Sequence, residues 1–150
     1  SGSLWTKRVE NTEADVGAAT SSAGNTALGE KLAEVTMKGW FTKESYDGAD
    51  RERVIESVKS MVTGNSLQGL KKSIKGLEGY DLRPKVKGYK IEGLFIVGSE
   101  DENLRESMRE VTGLVKGGKD LVIIKGAGRL PIVERPGEFV QVVKGFLQGT

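Results

Sequence analysis

At 150 residues, 37% of them hydrophobic and 29% charged, the chain is one domain by size, long enough to bury a core but short for a catalytic α/β enzyme. Its net charge of +2, from 23 Lys and Arg against 21 Asp and Glu, gives no reason to expect a nucleic-acid partner. With no His and no Cys, the sequence excludes an imidazole base, an imidazole metal ligand, a thiolate nucleophile and a disulfide framework. The 21 glycines are scattered, which implies many turns and helix ends and no low-complexity tract.

Ser1-Gly2-Ser3 reads as a cloning scar and not as a signal peptide. Leu4 to Gly17 carries Leu4, Trp5, Val9 and Val16 near helical spacing, and Thr20 to Asn25 is a loop by composition. Leu28, Leu32 and Val35, leading to Trp40 and Phe41, predict an amphipathic helix that ends around Gly39. Asp50 is the expected N-cap of a third helix, with Val54, Ile55, Val58, Met61 and Val62 on one face and Gly64 as its stop. Ser66 is expected to cap a fourth, carrying Leu67, Leu70, Ile74 and Leu77.

After Pro84 the period changes. Ile91 to Val97 is a short apolar run of strand character, Leu104 to Val115 is helical, Leu121 to Ile124 is a second β-branched run, and Phe139 to Leu147 is a closing amphipathic helix. Strand, helix, strand, helix with apolar strands is the pattern of a parallel sheet covered by helices, so the expected fold class is α/β. The expected organisation is a helical region over 4–83 followed by a β-α-β-α part over 84–150.

Two strings carry a family resemblance. Phe95-Ile96-Val97-Gly98-Ser99-Glu100-Asp101 resembles the strand and turn after which α/β-hydrolases place the acid of their catalytic triad. Gly126-Ala127-Gly128-Arg129-Leu130-Pro131, followed by Glu134-Arg135-Pro136 and an amphipathic helix, is similar to the ending of the fold, where the triad base is a His. The helical region adds Trp5-Thr6-Lys7-Arg8-Val9, Gly39-Trp40-Phe41-Thr42 and Tyr80-Asp81-Leu82, which look like the cap of 3-oxoadipate enol-lactonase relatives. The resemblance implies a truncated α/β-hydrolase: cap helices, then the last two strands of the core with their helices.

The departures from that pattern decide the functional expectation. The sequence holds no G-x-S-x-G elbow, which needs a strand before it and a helix after it to present a strained nucleophile. Arg129 stands in the base position, and a guanidinium stays protonated and cannot take a proton from a serine. No catalytic residue is therefore expected. Asp101, in the acid position, is expected to cap the helix beginning near Asn103 and to pair with Arg129. Arg129, Trp40, Phe41 and Trp5 are the candidate ligand-binding residues beneath a cap. Glu134 is, by resemblance, a structural residue. The lysines at 71, 72, 75, 85, 87 and 90 read as a solvated face, since Glu78 and Asp81 interleave with them.

No metal and no cofactor are expected, and neither nucleic acid nor membrane is expected as a partner. A β-α-β-α unit leaves an exposed sheet edge, so self-association as a homodimer, or a partner chain covering that edge, is expected. The expected function is a non-catalytic interaction or oligomerisation module derived from an α/β-hydrolase. The alternatives are one half of a split ester or lactone hydrolase and a pseudoenzyme holding a small ligand under the cap. A cytoplasmic location is expected.

Overall fold

The computed structural model describes residues 24–66, 69, 72, 73, 75, 76, 81 and 83–149. The helix expected over Leu4 to Gly17, with Trp5, lies outside them, as do Leu67, Leu70, Ile74, Leu77 and Tyr80. The described residues fall into two compact units, those up to Lys38 with those from Glu52 to Gly76 in one, and those from Gly39 to Arg51 with those from Asp81 onward in the other.

In the first unit, helix α1 spans Gly24–Trp40. It starts earlier than the composition of Thr20 to Asn25 suggested, since Gly24 and Asn25 are already helical. Its buried stripe is Leu32, Ala33, Thr36 and Met37, spaced one and four apart, while Val35 is turned to solvent. Leu32 is thus buried as expected, and Ala33 and Thr36 take the inward place expected of Val35.

The chain then forms a short helix α2, Lys43–Asp47, a 3-10 turn, Ala49–Arg51, and helix α3, Glu52–Thr63. Asp50 falls inside the 3-10 turn, so it is not the N-cap of α3 as expected. Of the apolar residues expected on one face of α3, Ile55 is buried, Val58 and Val62 are half-buried, and Val54 and Met61 are exposed. At 3.6 residues per turn these five positions span about 120° of the helix and so do share one face, but the described residues cover it only at Ile55, Val58 and Val62. Gly64 ends the helix as expected, its N–H donating to the Ser60 carbonyl. Gly29 lets α1 approach the end of α3, since a Cβ there would lie 2.8 Å from the Thr63 carbonyl oxygen. Ser66 acts as the expected cap, its hydroxyl accepting from the Gly69 N–H at 2.9 Å.

In the second unit, Thr42 caps α2, its side chain accepting from the Ser45 N–H. The rest follows in order: α4, Arg83–Val86; β1, Gly93–Gly98; α5, Glu102–Leu114; β2, Gly118–Ile124; α6, Pro131–Glu134; and α7, Pro136–Gln148. Pro84 sits in the first turn of α4, where its missing N–H costs nothing.

The two strands pair in parallel, Phe95 opposite Leu121, Val97 opposite Ile123 and Gly98 opposite Ile124, with an irregularity between Gly93 and Phe95. Gly117 makes the turn into β2 possible: a Cβ there would lie 2.3 Å from the Lys90 carbonyl oxygen. Ile91, expected to start the first strand, lies outside it and is 76% exposed.

The burial of this unit is uneven. Val97, Gly98 and Ile124, at the C-terminal ends of the strands, are buried, whereas Leu94, Phe95 and Ile96 are half-buried. Neither α5 nor α7 contains a fully buried residue. Leu147, expected on the inward face of the last helix, is 66% exposed. Among the described residues no helix is long and apolar enough to cross a membrane.

Candidate functional site

Both strands end in loops that meet at their C-terminal side, where ligands bind in open parallel sheets. Gly98 closes β1 and is followed by Ser99, Glu100 and Asp101; Ile124 closes β2 and is followed by Lys125 to Arg129. The two loops are joined by backbone. The Ser99 N–H donates to the Ile124 carbonyl at 2.9 Å, and the Glu100 N–H to the Ala127 carbonyl at 3.0 Å. The Ser99 hydroxyl accepts from the Gly126 N–H and donates to Glu100 Oε1, both at 2.8 Å. Gly126, at φ 65°, is in the left-handed region that favours glycine.

The closeness of these loops depends on glycine. A Cβ on Gly98 would lie 2.0 Å from the Gly128 carbonyl oxygen and 2.2 Å from that of Ala127. On Gly128 it would lie 2.6 Å from the Trp40 carbonyl oxygen.

At this junction Asp101 and Arg129 form an ion pair, with Arg129 Nε 2.6 Å from Asp101 Oδ2 and Nη2 3.3 Å from Oδ1. Asp101 also caps α5, its Oδ1 accepting from the Leu104 N–H at 3.1 Å. The helix starts at Glu102, one residue earlier than expected. The Asp101 side chain is 8% exposed and that of Arg129 34%. Burial pushes the Asp101 carboxyl up, but the hydrogen bond from Arg129, the bond from Leu104 N–H and the Arg129 charge outweigh it, so the group is held below the usual carboxylate range.

Chemically the pair is closed. Both carboxylate oxygens are engaged, and a guanidinium has no lone pair to accept a proton. No proton can be relayed through Asp101 and Arg129 as it is through a carboxylate and an imidazole.

Glu134 is the residue whose part in this site the sequence did not reveal. It is fully buried, 0% exposed, with Oε1 accepting from the Thr42 N–H at 2.8 Å and Oε2 from the Gly128 N–H at 2.6 Å. The available signal was its position three residues after Pro131, which is buried too and so shares the inward face of α6. Two arginines brace the same region: Arg51 Nη1 donates to the Val133 carbonyl at 3.0 Å, and Arg105 Nη1 to the Ser99 carbonyl at 2.8 Å.

Of the other candidate residues, Trp40 meets Arg129 through its backbone carbonyl, and Trp5 lies outside the described residues. Phe41 is buried, and Trp40 is half-buried with an indole N–H that has no hydrogen-bond partner among the described residues. An open groove of about 890 Å³ lies in the first unit, along Glu30, Glu34, Lys59 and Thr63 of α1 and α3, and none of the expected site residues lines it. Among the described residues no cluster of three or more His, Cys, Asp or Glu is placed to hold a metal ion.

The parallel strand pair with its crossing helix, the carboxylate after the first strand and the glycine-rich loop after the second share their fold with the C-terminal half of solved α/β-hydrolase structures. An enol-lactonase from Burkholderia xenovorans LB400 is similar at 21% identity and a TM-score of 0.73, over 97% of this chain and 50% of that one. A hydrolase from Pseudomonas aeruginosa PA01 matches at 22% and 0.75, again over 97% and 50%. A thermophilic esterase from Thermogutta terrifontis, in a malate-bound structure, matches at 21% and 0.70, over 95% and 50%. The chain therefore spans about half the length of the solved structures it matches. No protein-family model and no curated protein sequence matches it.

Proposed function

We propose that the chain is a non-catalytic interaction or oligomerisation module built on the C-terminal half of the hydrolase fold. The observation that carries this reading is the Asp101–Arg129 pair. It occupies the junction of the two strand-end loops, saturates the carboxylate and places a permanent cation beside it. Binding chemistry is compatible with such a site, and base catalysis is not.

A second reading is supported by the half-buried β1 and by helices α5 and α7, which lack a fully buried residue. On that reading the chain is one half of an ester or lactone hydrolase and needs a partner chain for activity. The names of the similar structures, an enol-lactonase and an esterase, suggest the substrate class.

Two measurements test the first reading. Light scattering on the purified chain should give a dimer or larger species at micromolar concentration, and p-nitrophenyl acetate should be hydrolysed no faster than in buffer. Turnover that Arg129→Ala abolishes overturns the non-catalytic reading. A monomer throughout the concentration range overturns self-association.

A further inference from the structure

We propose that Glu134 is the positioning residue that presents Arg129 to Asp101. The backbone of residues 40–42 runs beside that of residues 128–129, and the two are tied at adjacent places. The Arg129 N–H donates to the Trp40 carbonyl at 2.7 Å. The Thr42 N–H and the Gly128 N–H both point at the gap between the segments, and two donors facing each other repel unless an acceptor stands between them. Glu134 supplies it, one carboxylate oxygen for each donor, at 2.8 and 2.6 Å.

A buried carboxylate is costly unless its oxygens are hydrogen-bonded, and bonds to a charged acceptor are the stronger kind. Glu134 meets that condition only with both segments in place. The residue whose N–H it fixes immediately precedes Arg129. The guanidinium therefore leaves from a pinned Cα and reaches Asp101 with two of its nitrogens. Gly128 completes the arrangement, because a Cβ there would crowd both the Trp40 carbonyl oxygen, at 2.6 Å, and Glu134 Oε2, at 3.1 Å.

Glutamine has the shape of glutamate but only one acceptor, so its amide N–H₂ would face one of the two donors. Glu134→Gln therefore separates two roles. A residue that merely anchors α6 lowers stability when changed and leaves the coupling between Asp101 and Arg129 intact. A positioning residue removes the coupling as well.

The test is a double-mutant cycle, Asp101→Ala, Arg129→Ala and both together, read by urea unfolding in the wild-type and Glu134→Gln backgrounds. The cycle should show coupling of about fivefold in the unfolding equilibrium for wild type, falling below about twofold with Glu134→Gln. Where Glu134→Gln leaves too little folded protein, Glu134→Asp replaces it, since the shorter carboxylate cannot span both donors, and the same loss is expected. Undiminished coupling in either variant overturns the proposal, as does the absence of coupling in wild type.

The proposal deepens the functional reading and rests on the same ion pair. The two fail differently: ester hydrolysis that Arg129→Ala abolishes removes the functional reading, whereas unchanged coupling removes only the role of Glu134.

Discussion

Gly98→Ala adds one methyl group at the most crowded point of the strand-end junction. That carbon would lie 2.0 Å from the Gly128 carbonyl oxygen, short by about 1.4 Å of the 3.4 Å at which ordinary contact begins. Both obstacles, the carbonyls of Ala127 and Gly128, are backbone, so no side chain can swing away to make room. Relief requires the loop at 126–129 to move as a unit. Among the hydrogen bonds that resist that shift are Glu100 N–H to Ala127, Arg129 N–H to Trp40, and Gly128 N–H to the buried Glu134 carboxylate. At roughly 0.5–1.5 kcal/mol for each neutral bond and 1.5–3 kcal/mol for the charged one, losing the charged bond and one neutral bond costs about 2–4.5 kcal/mol. Against a total stability of about 5–15 kcal/mol for a typical domain, that is a large fraction. Urea unfolding followed by far-UV circular dichroism and by tryptophan fluorescence measures it, with the slope of the transition compared to confirm that the midpoint shift reports stability. A Gly98→Ala variant within about 0.5 kcal/mol of wild type refutes the claim that this crossing holds the site together.

The opposite sign is expected where glycine sits in a helix with open space around it. Gly113→Ala in α5 and Gly145→Ala in α7, where an added Cβ meets nothing within 4 Å, should each raise stability by about 0.5–1 kcal/mol, and a loss in the same urea assay would contradict this. Asp101→Ala removes a helix cap and an ion pair together and should cost about 1–3 kcal/mol at neutral pH. Because the folded state holds this carboxyl below its ordinary value of 3.8, its contribution is present above that pH and is lost as the pH falls through the folded value. The gap between wild type and Asp101→Ala should thus be constant above about pH 5 and close below about pH 4; a gap that widens in acid would reverse the assigned sign.

How much of this was legible in the sequence varied with the kind of signal. The strands were readable because β-branched runs bounded by glycine have few other homes, and their parallel pairing followed from the helix between them. The Asp101 cap and its pairing with Arg129 were readable through the resemblance, which puts the two at the acid and base positions in the loops that follow the two strands. Helix α2 was not anticipated, since five residues with a threonine cap carry no apolar period. On α1 the small and polar Ala33 and Thr36 pack inward and Val35 does not, which a period of large aliphatic residues does not reveal, and on α3 the five apolar residues share a face of which Val54 and Met61 stay exposed. Glu134 was legible as a structural residue only through the resemblance; its partners were not, since its buried role depends on two N–H groups, one of them 92 positions away in sequence.

The half-covered state of the second unit bears on stability and association at once. Two parallel strands are marginal by themselves, because a small sheet gains independent stability only when its faces are packed. Here the buried positions gather at the strand ends, beside Asp101 and Glu134, while Leu94, Phe95 and Ile96 in the middle of β1 keep part of their surface in water. Covering that surface is favourable by about 25 cal/mol for each Å² removed from water, so on the proposed reading the same residues that limit the stability of the isolated unit would supply the drive for a second surface to dock. The polar junction has no such need, since its charged and backbone groups already satisfy one another. On the proposed reading, then, the two ends of the strands divide the work. The C-terminal end fixes the local fold through Gly98, Glu134 and the Asp101–Arg129 pair, and the incompletely covered middle of β1 is where association is expected to begin.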